Sequence, residues 1–201
     1  MQVELNLPFD YLYLIGQLKH YASPRDKITQ LLKIGEIVRI KKGLYLTKDA
    51  HGDYLLEILS GMLYGPSYIS LEYALAYYQM IPEQVKTITC ITTQKPKIFH
   101  TPVGSFRYQH IRPELFHLGL EYMPCQSSGF WVASREKALC DIVYYRSKTL
   151  SIDETDEFLL LDMRMDKMEL QKIDLKKIQS WQKLYSNSAI DSLITYLQGA
   201  L

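Results

Sequence analysis

Cysteine is scarce in this chain of 201 residues: Cys90, Cys125 and Cys140 are the whole complement. Three is an odd number, and no two are spaced as a metal or redox pair. That argues against a disulfide framework or a cysteine-based zinc site and fits reduced thiols in a cytoplasmic protein. No apolar run approaches the roughly 18–20 residues a membrane helix needs. The N-terminus carries Glu4 and no basic start, so it does not read as a secretory signal. Internal repeats and low-complexity tracts are absent. So are the glycine-rich loops that cradle phosphates: there is no GxGxxG or GxxxxGK, and Gly104 in the TPVGS turn stands alone.

Net charge is also nearly absent, at +1, but it is unevenly spread. Residues 1–50 carry 8 Lys/Arg against 5 Asp/Glu, and residues 151–201 carry 6 against 9. The first segment is thus +3 and the last −3, with +1 between them. A weak overall field predicts modest sequence-independent DNA binding, with any cationic surface confined to the N-terminal part. Hydrophobic residues make up 47%, ample for a buried core.

What the sequence does hold is residues 23–46, SPRDKITQLLKIGEIVRIKKGLYL. Ser23 suits an N-cap and Pro24 the first helical position, where a missing N–H costs nothing. The helix should stop at Gly35. Glu36–Ile40 and Leu44–Leu46 then read as two β-rich runs around Lys41-Lys42-Gly43. On the helix, Ile28, Leu31 and Leu32 fall on one side. Arg25, Thr29 and Lys33 form an i, i+4, i+8 stripe turned away, with Asp26 and Gln30 beyond it. In the hairpin Ile37, Arg39 and Lys41 alternate with Val38, Ile40 and Lys42, so one face can pack while the other stays polar.

An ordinary amphipathic helix beside a solvated Lys-Lys turn has the same composition. The order helix, Gly, strand, Lys-Lys-Gly, strand is what favours a winged helix-turn-helix, with Arg, Lys, Thr and Gln facing phosphates and base edges. Upstream, Pro8 to His20 has apolar spacing for a supporting helix, joined by a short link at Tyr21 and Ala22. One such module reads only a short site, so two copies on an inverted repeat of double-stranded DNA are expected, dimerising on the DNA.

The polar run Lys48–Asp53 marks a boundary, giving a DNA-binding module over 1–49 and an α+β domain over 50–201. Tyr54–Tyr64 reads as a helix ended by Gly65-Pro66, and Ser67–Met80 as another, with Ile69, Tyr73, Ala76 and Tyr77 in helical spacing. From Val85, VKTITCITT and IFHTPVGSFRYQHI are β-rich, the second a strand, turn and strand. Short strands are expected around Leu118–Tyr122 and Gly129–Ala133, then a helix from Ser134 to about Tyr145. Beyond Asp153 the pattern is helical, through Ile173–Tyr185 and Ser188–Leu197. The fold class is therefore α+β: an N-terminal winged helix-turn-helix, then a mixed domain with a mainly antiparallel sheet of four or five strands and C-terminal helices.

Within that domain no enzyme signature emerges. His100 and His110 are placed to face each other across a hairpin, but no carboxylate or cysteine accompanies them at ligand spacing, so no metal, cofactor or catalytic residue is assigned. Gln94-Lys95-Pro96-Lys97 resembles an acid-x-lysine nuclease corner without its acid. Of the 16 tyrosines, Tyr64, Tyr68, Tyr73, Tyr77 and Tyr78 share one helical region, where core packing is the expected role over base stacking.

Four blocks taken in order add a resemblance. SPRDKITQLLKIGEIVRIKKGLYL, YGPSYISLEYALAYYQMIPE, TCITTQKPKIFHTPVGSFRYQHI and VASREKALCDIV together resemble the AbiEi antitoxin family, over roughly Phe9 to Arg164. Its members are transcriptional regulators of bacterial abortive-infection (phage-defence) toxin–antitoxin systems. The resemblance implies a winged helix-turn-helix that represses its own operon and a C-terminal domain with antitoxin activity. It also implies a nucleotidyltransferase-like toxin partner of a type IV system, coupled in function and not as a stable complex. The family's DNA-contact role carries over to Arg25, Lys27, Lys33, Arg39, Lys41 and Lys42. With Ser23, Thr29 and Gln30 these make up the expected DNA-binding set. The family also includes regulators with no toxin neighbour. Two readings of other classes stand beside it: a protein-interaction module whose basic hairpin is merely solvated, and a nuclease tethered to DNA, which requires clustered carboxylates in the body.

Overall fold

A computed structural model describes residues 7–50, 55–125 and 128–200. The N-terminal part runs through strand β1 (Phe9–Asp10), helix α1 (Tyr11–Gln17), helix α2 (Pro24–Lys33) and the hairpin β2 (Ile37–Lys41) and β3 (Leu44–Thr47). The strands form a three-stranded antiparallel sheet in the order β1-β3-β2. The helix read from Pro8 begins later, because Phe9 pairs with Tyr45 and stacks on its ring at 6.3 Å. Asp10 then caps α1 by accepting from the Tyr13 N–H at 2.7 Å. The link to α2 is also longer than Tyr21 and Ala22, running from Leu18 to Ser23.

Helix α2 has both of its expected ends. Ser23 is the N-cap and Pro24 lies in the first turn. At the other end Gly35 takes φ +76°, which only glycine adopts without strain. This lets the Glu36 N–H reach the Leu31 carbonyl at 3.0 Å and the Gly35 N–H reach that of Leu32 at 3.3 Å, closing the helix in a Schellman arrangement.

Six side chains, Phe9, Leu14, Leu18, Ile28, Ile37 and Tyr45, form a small core among these elements. A unit of this size is marginal on so little apolar burial. The opposite face of the hairpin answers this: Ile40, Leu44 and Leu46 belong to the large core of the rest of the chain. The hairpin is thus shared between two cores. The polar boundary stretch falls partly on residues 51–53, outside the described residues.

The body begins with α3 (Leu55–Leu63) and β4 (Ser67–Ile69), followed by α4 (Leu71–Tyr77). Strands β5 (Ile88–Thr92), β6 (Lys97–Thr101), β7 (Gly104–His110), β8 (Leu120–Cys125) and β9 (Ser128–Ala133) follow, with the short helix α5 (Pro113–Phe116) between β7 and β8. They build a six-stranded sheet in the order β6-β7-β5-β4-β9-β8. The β5–β7 and β4–β9 pairs are parallel and the other three antiparallel. The additional strand is β4, which helical spacing had placed in a helix. Its three residues pair with β5, and Ile69 also meets Val132 of β9, so neighbours on both sides decide its conformation. All five residues of β5 are buried, which makes it the centre of the sheet.

Helix α6 (Arg135–Arg146) starts at Ser134 as expected. After it come α7 (Ile152–Glu157), a π-helical turn (Phe158–Asp162), α8 (Lys167–Leu170), α9 (Leu175–Tyr185) and α10 (Ser188–Ala200). Asp174, which accepts from the Lys176 and Lys177 N–H groups, sets the start of α9 two residues past Ile173.

A buried polar cluster ties this helical layer to the sheet. Lys137 and Asp141, one turn apart on α6, are both 0% exposed and meet at 2.7 Å. The Tyr185 hydroxyl from α9 accepts from Lys137 at 2.8 Å and donates to Asp141 Oδ1 at 3.0 Å. Tyr68 and Ser70 donate to Oδ2 at 3.0 and 2.8 Å. The ammonium also lies over the Tyr185 and Tyr68 rings, at 5.1 and 5.7 Å. Burial and the Asp141 carboxylate push both phenols well above their ordinary value, so they remain donors. Among the described residues, no helix is long and apolar enough to cross a membrane.

Candidate nucleic-acid interface

On α2 the stripe Arg25, Thr29 and Lys33 is exposed, on the side away from buried Ile28. The Thr29 hydroxyl donates back to the Arg25 carbonyl at 3.1 Å. Ser23 is exposed, with its Oγ facing the Asp26 N–H at 3.5 Å, so its hydroxyl serves the helix end first. Lys27 is half-buried. Its ammonium donates to Gln30 Oε1 at 3.0 Å and sits 5.1 Å from the Tyr21 ring centre, so these two members of the set engage each other.

In the hairpin, Arg39 and Lys42 are exposed. The Arg39 guanidinium lies 5.9 Å over the ring of Tyr45, its cross-strand partner. With Tyr11 and Gly43 these residues line an open cavity of about 690 Å³ at the tip of the module. Two cations beside two aromatic rings suit an anionic ligand that also carries flat groups, such as the phosphates and bases of a nucleic acid. Neither Tyr11 nor Tyr45 was singled out from sequence, although the Arg39–Tyr45 pairing follows once the hairpin register is set. Among the described residues, none of Arg25, Lys33, Arg39 and Lys42 forms an ion pair with a carboxylate.

Lys41 behaves differently. Strict alternation puts it on the face of Ile37 and Arg39, but the register slips between Arg39 and Lys41, so that Lys41 lies opposite Leu44, whose side chain joins the large core. Its ammonium donates to the carbonyls of Leu63 and Met62 at 2.5 and 3.2 Å. The Lys41 ammonium, expected at the wing tip, thus makes an internal contact with the end of α3.

Elsewhere the polar side chains named from sequence make local contacts. His100 faces Ser105 across the β6–β7 hairpin, its Nδ1 3.1 Å from the hydroxyl, and His110 Nδ1 lies 3.1 Å from the Gln94 carbonyl oxygen. His100 and His110 do not face each other, because the register sets His100 of β6 opposite Ser105, at the other end of β7 from His110. Gln94 donates to the Gly65 carbonyl, and the Lys95 carbonyl accepts from the Tyr64 hydroxyl at 3.2 Å, so that corner braces the α3–β4 turn. Tyr68 is buried in β4, while Tyr64, Tyr73, Tyr77 and Tyr78 pack half-buried against the large core. Cys90 and Cys140 are buried, and burial pushes the Cys90 thiol up to about 12 and that of Cys140 higher still. Two body clefts of about 440 and 550 Å³ share Ile81, Glu83 and Gln84 and carry charges of both signs. Among the described residues, no group of three or more His, Cys, Asp or Glu is placed to hold a metal ion.

Against known proteins, the chain matches no protein-family model and no curated protein sequence.

Proposed function

We propose that this protein is a DNA-binding transcriptional repressor of the AbiEi antitoxin type, with residues 1–49 acting as a winged helix-turn-helix. The observation that carries the reading is the set of four exposed cations, Arg25 and Lys33 on α2 with Arg39 and Lys42 on the hairpin, which make no ion pair among the described residues. A folded protein that leaves cations unpaired on a helix and an adjacent ribbon has a surface suited to phosphates. The strand, helix, helix, hairpin order with β3 in the middle of its sheet agrees with that assignment.

In this reading α2 enters a major groove, where Arg25, Thr29, Gln30 and Lys33 meet base edges and backbone, while Lys42 and Arg39 hold the flanking backbone or minor groove. Two copies occupy an inverted repeat in the protein's own promoter, in the cytoplasm. The body serves as the antitoxin against a nucleotidyltransferase-like toxin, without catalysis of its own. A gel shift on the region upstream of the gene tests this. Retention of that duplex over a scrambled one is expected, and Arg25→Ala should narrow the difference. Equal or no retention at low salt, with co-purification of a protein partner, favours the interaction-module reading instead.

A further inference from the structure

Helix α3 ends at a junction. The last carbonyls of a helix have no partner within it and carry the negative end of its dipole. Here several of the nearby carbonyls are met by side chains from elsewhere in the chain. The Ser60 carbonyl accepts from the Tyr108 hydroxyl of β7 at 2.7 Å. Past the helix, the Gly65 carbonyl accepts from Gln94, and that of Pro66 from the Thr92 hydroxyl at 2.7 Å. Met62 and Leu63 are left to Lys41, the only one of these donors that comes from the N-terminal hairpin. The bulge that turns Lys41 toward the body gives up its place on the face of Arg39. Burial, with the charge of Lys97 nearby, holds its ammonium below the ordinary lysine value.

The geometry points to Lys41 as a positioning residue: it clamps the hairpin to the C-terminus of α3 and so sets the angle at which the wing meets DNA relative to the body. Lys42, one residue on, remains exposed for the phosphate. Two adjacent lysines that look equivalent in sequence therefore have separate tasks, one turned inward and one outward. This inference rests on the DNA-binding reading for its consequence, but the clamp itself does not.

The test compares Lys41→Met, Lys41→Arg and Lys42→Ala with wild type on the upstream duplex, alongside amide hydrogen exchange of the free proteins. Lys41→Met keeps the apolar stem and removes the donors. It should raise Kd about three- to tenfold while leaving the slope of log K against log salt unchanged, whereas Lys42→Ala should lower that slope by about 0.9. Exchange in the last turn of α3 and in β2–β3 should rise about tenfold in Lys41→Met only. Lys41→Arg, which keeps charged donors, should restore both. A slope lowered by about 0.9 in Lys41→Met, with exchange unchanged, overturns the clamp and makes Lys41 a phosphate ligand. If wild type does not bind the duplex, the DNA reading falls, and the exchange profile still decides the clamp: no rise in Lys41→Met overturns it.

Discussion

Replacing Lys137 with methionine should be the most damaging single change among the polar residues of the body. The side chain is 0% exposed and pairs at 2.7 Å with an equally buried Asp141. Methionine matches the length of the stem, so little volume is lost, and the effect comes from the charge left behind. The Asp141 carboxylate would keep three hydroxyl donors, Tyr68, Ser70 and Tyr185, but no cation. Removing one partner of a buried pair typically costs about 3–5 kcal/mol, mostly the desolvation of the partner that remains. At roughly 2–4 °C per kcal/mol for a chain of this size, the Tm should fall by about 6–20 °C. Tyr185→Phe, which removes one hydroxyl and leaves both charges in place, should cost only about 1–2 kcal/mol. The double variant Lys137→Met with Asp141→Leu should lose less than the sum of its single changes, since no charge is then stranded. Urea unfolding followed by circular dichroism measures these three variants and Asp141→Leu alone. A loss below about 1 kcal/mol for Lys137→Met would refute the cluster as the tie between helical layer and sheet.

Two further outcomes follow from local geometry. Gly119 has φ +55°, and a Cβ there would stand 2.6 Å from Trp181 Cη2 and 3.0 Å from Lys137 Cβ, so Gly119→Ala should destabilise by about 1–3 kcal/mol in the same assay. Thiol labelling of the native protein near pH 8 should modify Cys125 readily, whereas Cys90 and Cys140, buried and with thiols held largely protonated, should react only on denaturation.

The parts of the fold written in local signals are the parts the sequence reveals. Ser23, Pro24 and Gly35 bound α2 through contacts within a few residues, and the Ser134 start of α6 is of the same kind. The strand-turn-strand of β6 and β7 likewise needs only its own alternation and the Pro/Gly turn. What escapes is decided at a distance. Ser67–Ile69 has helical spacing, yet becomes a strand because β5 and β9 flank it. Lys137 and Asp141 have the i, i+4 spacing of an exposed helix pair, and their burial depends on residues far along the chain, Tyr68 and Tyr185 among them. In the interface, Arg25, Thr29 and Lys33 could be placed by helical angle alone. Lys41 could not, since its direction depends on a register slip within the hairpin and on a helix end in the body. The grouping of Tyr11 with Arg39 and Tyr45 similarly requires β1 to bring the start of α1 against β3.

DNA binding through this surface is best judged by the salt dependence of binding to the upstream duplex, for wild type and for Arg25→Ala, Lys33→Ala, Arg39→Ala and Lys42→Ala combined. Circular dichroism should show the combined variant folded, because all four side chains are exposed. Wild type should bind with a negative slope of log K on log salt, and the variant should lose up to about 3.6 of it, near 0.9 per phosphate contact. A variant that binds with unchanged affinity and slope would contradict binding through this surface.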